Sequence, residues 1–307
     1  MTDFVVKPMV TDTEKERSER ATANRFARAS RRRAALKHVA TYTLLVVFCL
    51  LALAPIVWGL LTSFKAQSSV VAYPPKWIPA PFTLENYIAL FGRGTIPKFF
   101  LNSLILSLGT IGVSLVIAVP AAYAAARFRF YGKNPLMLLI LATSMIPGVS
   151  ILIPIYLFAI QLDVLNNYAF MILVYSAWMV PQAIWFMKNF IEVVPLELEE
   201  AALIDGCSRI GAFLRVVLPL IKPGIAAVSM LLFMFVWNDF LIGAILATDE
   251  SMRTVQVGLV RFIQDTIGVW WGQFMAFAML AIAPVIVAFL FLQKQFVEGL
   301  TAGGVKG

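Results

Sequence analysis

Glu199-Glu200-Ala201-Ala202-Leu203-Ile204-Asp205-Gly206, followed by Leu218-Pro219, lies in a loop between two long apolar runs. The segment from Pro195 to Pro223 reads as two short helices broken at one point. Pro195 opens the first, and Glu197, Glu199 and Glu200 fall in its opening turns, where the positive end of the helix dipole favours carboxylates. Gly206 fits the C′ position, where a left-handed conformation closes a helix without a Cβ penalty. Ser208 caps the second helix. That helix is expected to end by Leu218, because a residue before proline is pushed out of the α region and both Pro219 and Pro223 follow. Taken alone, these residues also suit a plain amphipathic hairpin lying on a membrane surface.

Composition sets the surroundings of this loop. Of 307 residues, 60% are hydrophobic and only 14% charged, and the mean hydropathy is +0.84. A soluble domain carries about a quarter charged residues, so the bulk of this chain belongs in a membrane. The net charge of +8 is concentrated outside the apolar mass, with ten of the 25 Lys and Arg before residue 38. Such a cationic flank suits anionic lipid and the orientation of a first span, and nucleic acid is not expected as a partner. The two cysteines, Cys49 in an apolar run and Cys207 in the loop, imply no disulfide framework.

Six segments, at about 39–64, 98–126, 135–160, 168–187, 223–247 and 273–292, reach the roughly 20 residues a helix needs to cross hydrocarbon. The expected fold is therefore all-α, a six-span membrane domain over 38–307 with a disordered basic extension over 1–37, an inner loop over 191–222 and a tail over 293–307. Segments 1–37, 127–134, 188–222 and 293–307 hold 19 of the 25 Lys and Arg, and the alternate connections hold six. The positive-inside rule then puts both termini in the cytoplasm. Prolines at 55, 120, 147, 154, 181 and 284 lie inside the spans and are expected to kink them. Ala118, Ala122 and Ala126 form a small-residue stripe suited to close helix packing.

Asp239, within Trp237-Asn238-Asp239, is the one ionisable residue well inside a span, and an intramembrane acid is a functional candidate by default. Trp237 and Asn238 would add a stacking face and an amide to a translocation pathway; the competing reading pairs Asp239 with a polar neighbour for structure alone. Two connections on the other side of the membrane are distinctive. Segment 65–98 carries Pro74, Pro75, Pro79 and Pro81 ahead of a short helix that Thr83 caps, and 248–272 ends in Trp270-Trp271, suited to an interfacial belt.

The spacing Glu200-Ala201-Ala202, three residues, Gly206, nine residues, Val216, one residue, Leu218-Pro219 resembles the "EAA" motif of ABC-importer permeases, with Val216 where that family usually has Ile. The tail, Gln293 to Gly307, is similar to the terminal signature of MalG-type permeases of carbohydrate importers, with Gly304 in place of the usual Ala. The resemblance covers about residues 40–307. It implies a type I importer permease in a bacterial inner membrane, with Glu199, Glu200, Ala201, Ala202, Asp205, Gly206, Leu218 and Pro219 in the coupling element that docks on an ATPase. It further implies that Gly299, Gly303, Lys306 and Gly307 contact those ATPase subunits. The implied partners are a second, homologous permease, two copies of the ATPase, and an external solute-binding protein that meets the outer loops. The resemblance gives this subunit no cofactor of its own, since ATP and Mg would sit on the ATPase.

The rest of the chain agrees with a non-catalytic role. Its only Gly-Lys pair, Gly132-Lys133, lacks the upstream glycine of a phosphate-binding loop, and no nucleophile–base pair or metal-ligand spacing is present. An ion-coupled secondary transporter is the alternative, and it predicts paired ionisable residues at membrane depth, which five of the six spans lack.

Overall fold

The computed structural model describes residues 12–265 and 270–302. By its contacts the chain divides into two units, 1–58 and 59–307. The first holds most of α1 (Asp12–Ser63), a single helix that starts well before the apolar run. Residues 12–37, expected to be disordered, are helical because no Gly or Pro interrupts 12–54 and Ala, Glu, Lys and Arg are strong helix formers. The rest of the extension, 1–11, lies outside the described residues.

The second unit continues with α2 (Gln67–Val70), α3 (Glu85–Gly92), α4 (Ile96–Arg127), α5 (Lys133–Thr143), α6 (Gly148–Gln161) and α7 (Tyr168–Val193). Then come α8 (Leu196–Ile204), α9 (Arg209–Ala212), a π turn (Phe213–Val217) and α10 (Leu218–Leu220). The chain finishes with α11 (Lys222–Asn238), α12 (Leu241–Leu246), a 3-10 turn (Glu250–Met252), α13 (Val255–Asp265) and α14 (Trp271–Ala302). Among the described residues the only extended pairing is an isolated bridge between Lys65 and Phe82. Inside hydrocarbon a helix satisfies every backbone group by itself, so apolar runs of this length take no other form.

Among the described residues four helices, over Leu36–Ser63, Ile96–Arg127, Tyr168–Val193 and Trp271–Gln293, are long and apolar enough to span; the count rises to six when each of two bent pairs is one span. Both bends modify what the sequence suggests. The expected third span is α5 and α6, meeting at 82° across Ser144–Pro147. Of the six interior prolines, only Pro147 sits at a break, in extended conformation ahead of α6; Pro55, Pro120, Pro154, Pro181 and Pro284 lie within continuous helices. The other pair, 209–220 and 222–238, bends by 70°. The helix in front of that bend does not stop at Leu218. Its π turn lets the Leu218 N–H donate to Phe213 O, and the widened turn leaves room for the Pro219 ring, so the chain stays helical to Leu220 and breaks at Ile221.

α4 and α7 form the central pair. α4 turns Ser103, Ser107, Thr110, Ser114, Ala118 and Ala122 inward, all buried, and small side chains let the two backbones come close. The stripe then passes to Ala125 rather than Ala126, which is only partly buried, because 3.6 residues per turn drift away from a strict spacing of four. Met179, Ala183, Met187 and Ile191 of α7 fill the facing core, with Val228 and Leu232 of α11. A side chain on Gly224 would collide with the Phe190 ring, which sets how closely α11 starts against α7.

Asparagine amides fasten the connections at the far end of the bundle. Asn86 Nδ2 donates to the carbonyls of Ser63 (2.8 Å) and Lys65 (2.9 Å). Asn102 Nδ2 donates to those of Ser251 and Arg253, while its Oδ1 accepts from Tyr168. The hydroxyl of Thr83 accepts the Glu85 N–H at the start of α3. Trp270 and Trp271 are both partly exposed.

Candidate functional site

The loop between α7 and α11 takes the form its residues dictate. Pro195 precedes α8 in extended conformation, with Glu197 and Glu199 in the first turn. Gly206 sits at φ +88°. Around it the Gly206 N–H donates to Leu203 O (3.1 Å) and the Cys207 N–H to Ala202 O (3.0 Å), the paired bonds of a Schellman closure. Ser208 Oγ accepts the Gly211 N–H (3.1 Å) and caps α9.

The surface of α8 divides sharply. Glu197, Leu198, Glu200, Ala201, Ile204, Asp205 and Gly206 are exposed, Ile204 at 86% and the neighbouring Ile210 at 72%. Ala202 is half-buried, and Leu218 and Pro219 lie beyond the π turn, exposed only in part or at the surface. Glu199 alone of the helix is buried, at 4%. Its Oε1 accepts from Arg127 Nε (2.5 Å) and its Oε2 from the Tyr123 hydroxyl (2.8 Å), both at the end of α4. Arg127 Nη2 meanwhile donates to Val194 O (2.7 Å), the residue that ends α7. Tyr123 also lies against Phe213 of the π turn, ring centres 4.6 Å apart. Glu199, which the resemblance groups with the ATPase-coupling residues, is thus an internal anchor in this structure. Its partners carry no such signal in the sequence. Arg127 counts there only as a basic flank of a span, and nothing local ties it to a carboxylate 72 positions on.

The three membrane-depth candidates part company. Trp237 is buried, its Nε1 donating to Ala281 O (3.0 Å) and its ring stacked on Phe233, so it serves the core among α4, α11 and α14 and opens onto no path. Asp239 ends α11 and caps α12: Oδ2 accepts from the buried Tyr175 hydroxyl (2.8 Å) and from the N–H groups of Ile242 (3.0 Å) and Gly243 (3.2 Å). Asn238 is exposed and lines a groove of about 400 Å³ with Gln182, Phe186, Met234 and Phe235. Gln182 joins the candidates only now; its signal in the sequence is that of a lone amide in the apolar run of α7. Of the tail residues, Gly299 falls in the last turns of α14, while Gly303, Lys306 and Gly307 lie outside the described residues.

Comparison with known proteins agrees with this architecture. Residues 114–301 match the family model for the binding-protein-dependent transport system inner membrane component. The chain is 34% identical over 82% of its length to the sulfoquinovosyl glycerol transport system permease of Agrobacterium fabrum, covering 88% of that protein. It is 36% identical over 87% of its length to the galactooligosaccharides transport system permease of Bacillus subtilis, covering 95% of it. The trehalose/maltose permease of Thermococcus litoralis is 31% identical, over 85% of this chain and 94% of that one. A chain in the crystal structure of a bacterial ABC transporter for the acidic polysaccharide alginate superposes with a TM-score of 0.74 at 24% identity, over 85% of this chain and 96% of its own, and shares the fold. The protein is a multi-pass inner-membrane permease of an ABC importer. It belongs to the family of binding-protein-dependent transport system inner membrane components.

Proposed function

We propose that this permease carries a carbohydrate, polyol or related solute, delivered by an external binding protein, through a pathway it shares with a second, homologous permease. ATP and Mg would be held by two copies of a separate ATPase, and this chain would hold neither. The observation that carries the ATPase part is α8 itself: a short helix, rigidly closed at Gly206, presenting Leu198, Ala201, Ile204 and Ile210 to the surroundings next to Glu197, Glu200 and Asp205. Exposed aliphatics rimmed by charge on a helix locked from behind suit a protein partner. The substrate class rests on the sugar and glycoside permeases among its relatives.

The 19 Lys and Arg on one side of the membrane support a cytoplasmic location for both termini and α8. The open groove of Gln182 and Asn238 supports this face of α7 and α11 turning towards the pathway, since the Gln182 amide would stay unsatisfied against lipid. Co-expression with the second permease, the ATPase and the binding protein tests the reading. The complex should purify intact and hydrolyse ATP faster with loaded binding protein, and Glu200→Lys should lose the ATPase while the permease stays in the membrane. A Glu200→Lys variant that retains ATPase and transport would sink it. Native Cys207, partly exposed beside α8, reports orientation: an impermeant thiol reagent should reach it only after the cells are permeabilised.

A further inference from the structure

We infer that Arg127, Tyr123 and Glu199 are a mechanical latch that transmits displacement of α8 to α4 and α7, with Glu199 a positioning residue rather than a contact for the ATPase. The inference rests on the reading of α8 as the ATPase-docking element. Three observations carry it. Glu199 is buried while the residues on either side of it, Leu198 and Glu200, are exposed, so its carboxylate points into the permease and away from any docked partner. Both of its oxygens are engaged by α4, one by the Arg127 guanidinium and one by the Tyr123 phenol. The same guanidinium holds the Val194 carbonyl at the end of α7, and the same phenol packs on Phe213. One charged cluster therefore joins four elements: α4, α7, α8 and the π turn.

The joint lies at a mechanically decisive place. Between α7 and α8 the main chain is a two-residue turn, Val194-Pro195, with both residues extended. On the other side of α8, the chain turns through Gly206 and Cys207 before α9. Without the latch, α8 could pivot on these two turns while α4 and α7 stayed still. With it, α8 and the ends of α4 and α7 move as one body, and α4 and α7 are the closely packed centre of the bundle. A planar guanidinium held at two points suits this, because it resists rotation as well as separation.

The test uses the full complex with its ATPase and binding protein, comparing three readouts: ATPase retained on purification, hydrolysis without binding protein, and the factor by which loaded binding protein stimulates it. Arg127→Met and Glu199→Gln should retain the ATPase yet lose stimulation by roughly 5- to 150-fold, the range of typical coupling energies. Tyr123→Phe, which removes one hydrogen bond, should lose roughly two- to tenfold. The double variant Arg127→Met/Glu199→Met replaces a buried pair by apolar volume, an exchange proteins often tolerate, and should regain part of the stimulation lost by the single changes. Unaltered stimulation in the single variants overturns the latch, as does loss of the ATPase from Glu199→Gln, which would make Glu199 a docking residue. A double variant no better than the singles overturns it too. If Arg127→Met fails to insert, Tyr123→Phe decides alone, and an unchanged stimulation factor refutes the inference. Glu200→Lys keeps the two readings apart: its failure to release the ATPase would count against docking by α8, whereas the latch variants report transmission with the ATPase still bound.

Discussion

Glu199 and Asp239 are two carboxylates in an apolar chain, each holding a tyrosine hydroxyl at 2.8 Å, and they do opposite things. At Glu199 the remaining donor is a cation on another helix, so the carboxylate joins elements far apart in sequence. At Asp239 the remaining donors are the N–H groups of Ile242 and Gly243, three and four residues on, so the carboxylate ends one helix and starts the next. The same phenol–carboxylate contact thus serves a joint in one place and a break in the other. What decides is the third partner. A charged one ties the carboxylate to a cation on another helix, whereas main-chain donors ask only for an oxygen.

The largest effect is expected where the pairing is charged. Removing one partner of a buried ion pair leaves the other uncompensated, at a cost of about 3–5 kcal/mol. Arg127→Ala should therefore shorten the thermal half-life of the purified permease more than any substitution at Asp239, Gly206 or Gln182, and Glu199→Ala should do nearly the same. Heat inactivation followed by fluorescence or size exclusion would measure it. If Arg127→Ala were no worse than Asp239→Asn, the distinction between the two acids would collapse.

Asp239 should show the smaller, oxygen-only dependence. Asp239→Ala removes the acceptor for two N–H groups and a phenol and is expected to cost about 1–3 kcal/mol, whereas Asp239→Asn keeps an oxygen for α12 and should remain close to the parent protein in stability and uptake. Strong loss of uptake in Asp239→Asn, with stability and ATP hydrolysis intact, would show that the charge itself takes part in transport and is more than a cap.

The closure of α8 ranks next. At Gly206 an added Cβ meets no atom within 4 Å, so a substitution there costs backbone strain alone. Gly206→Val should cost about 1–2 kcal/mol and disturb stimulation by the binding protein, while Gly206→Asn, whose side chain tolerates the left-handed region, should behave like the parent. Equal behaviour of the two variants would mean that α8 is held by its latch and not by its turn.

These contrasts also explain what was readable in advance. The bounds of α8 and the cap at Ser208 follow from Pro195, Gly206 and Ser208, signals that act within a few residues, and the spans follow from hydropathy summed over about twenty. The 82° bend between α5 and α6 does not, because Pro147 looks like five other prolines and only packing decides which of them breaks a helix. The joint at Glu199 is equally silent, since Tyr123 and Arg127 meet it only after α4 and α7 have packed. Trp237 misled for the complementary reason: the two residues after it are polar, but its place on α11 faces α14, where Ala281 accepts its N–H.

The smallest effect on stability, and the sharpest on function, is expected at Gln182. It is exposed, so Gln182→Leu should change stability by no more than about 0.5 kcal/mol. Its groove also holds Asn238, whose Nδ2 is turned back to its own helix at Met234 O, which leaves Gln182 as the more available amide there. If that face lines the pathway, Gln182→Leu removes a donor and an acceptor for a hydroxylated solute, and uptake should slow while binding-protein stimulation of ATP hydrolysis holds. If the face meets lipid, leucine is the better residue, and uptake should stay the same or the yield of assembled complex rise. Transport and stimulation measured in one vesicle preparation separate these outcomes. Either result bears on the opening contrast, because α7 carries both Tyr175, which holds Asp239, and Gln182 two turns further along the same helix.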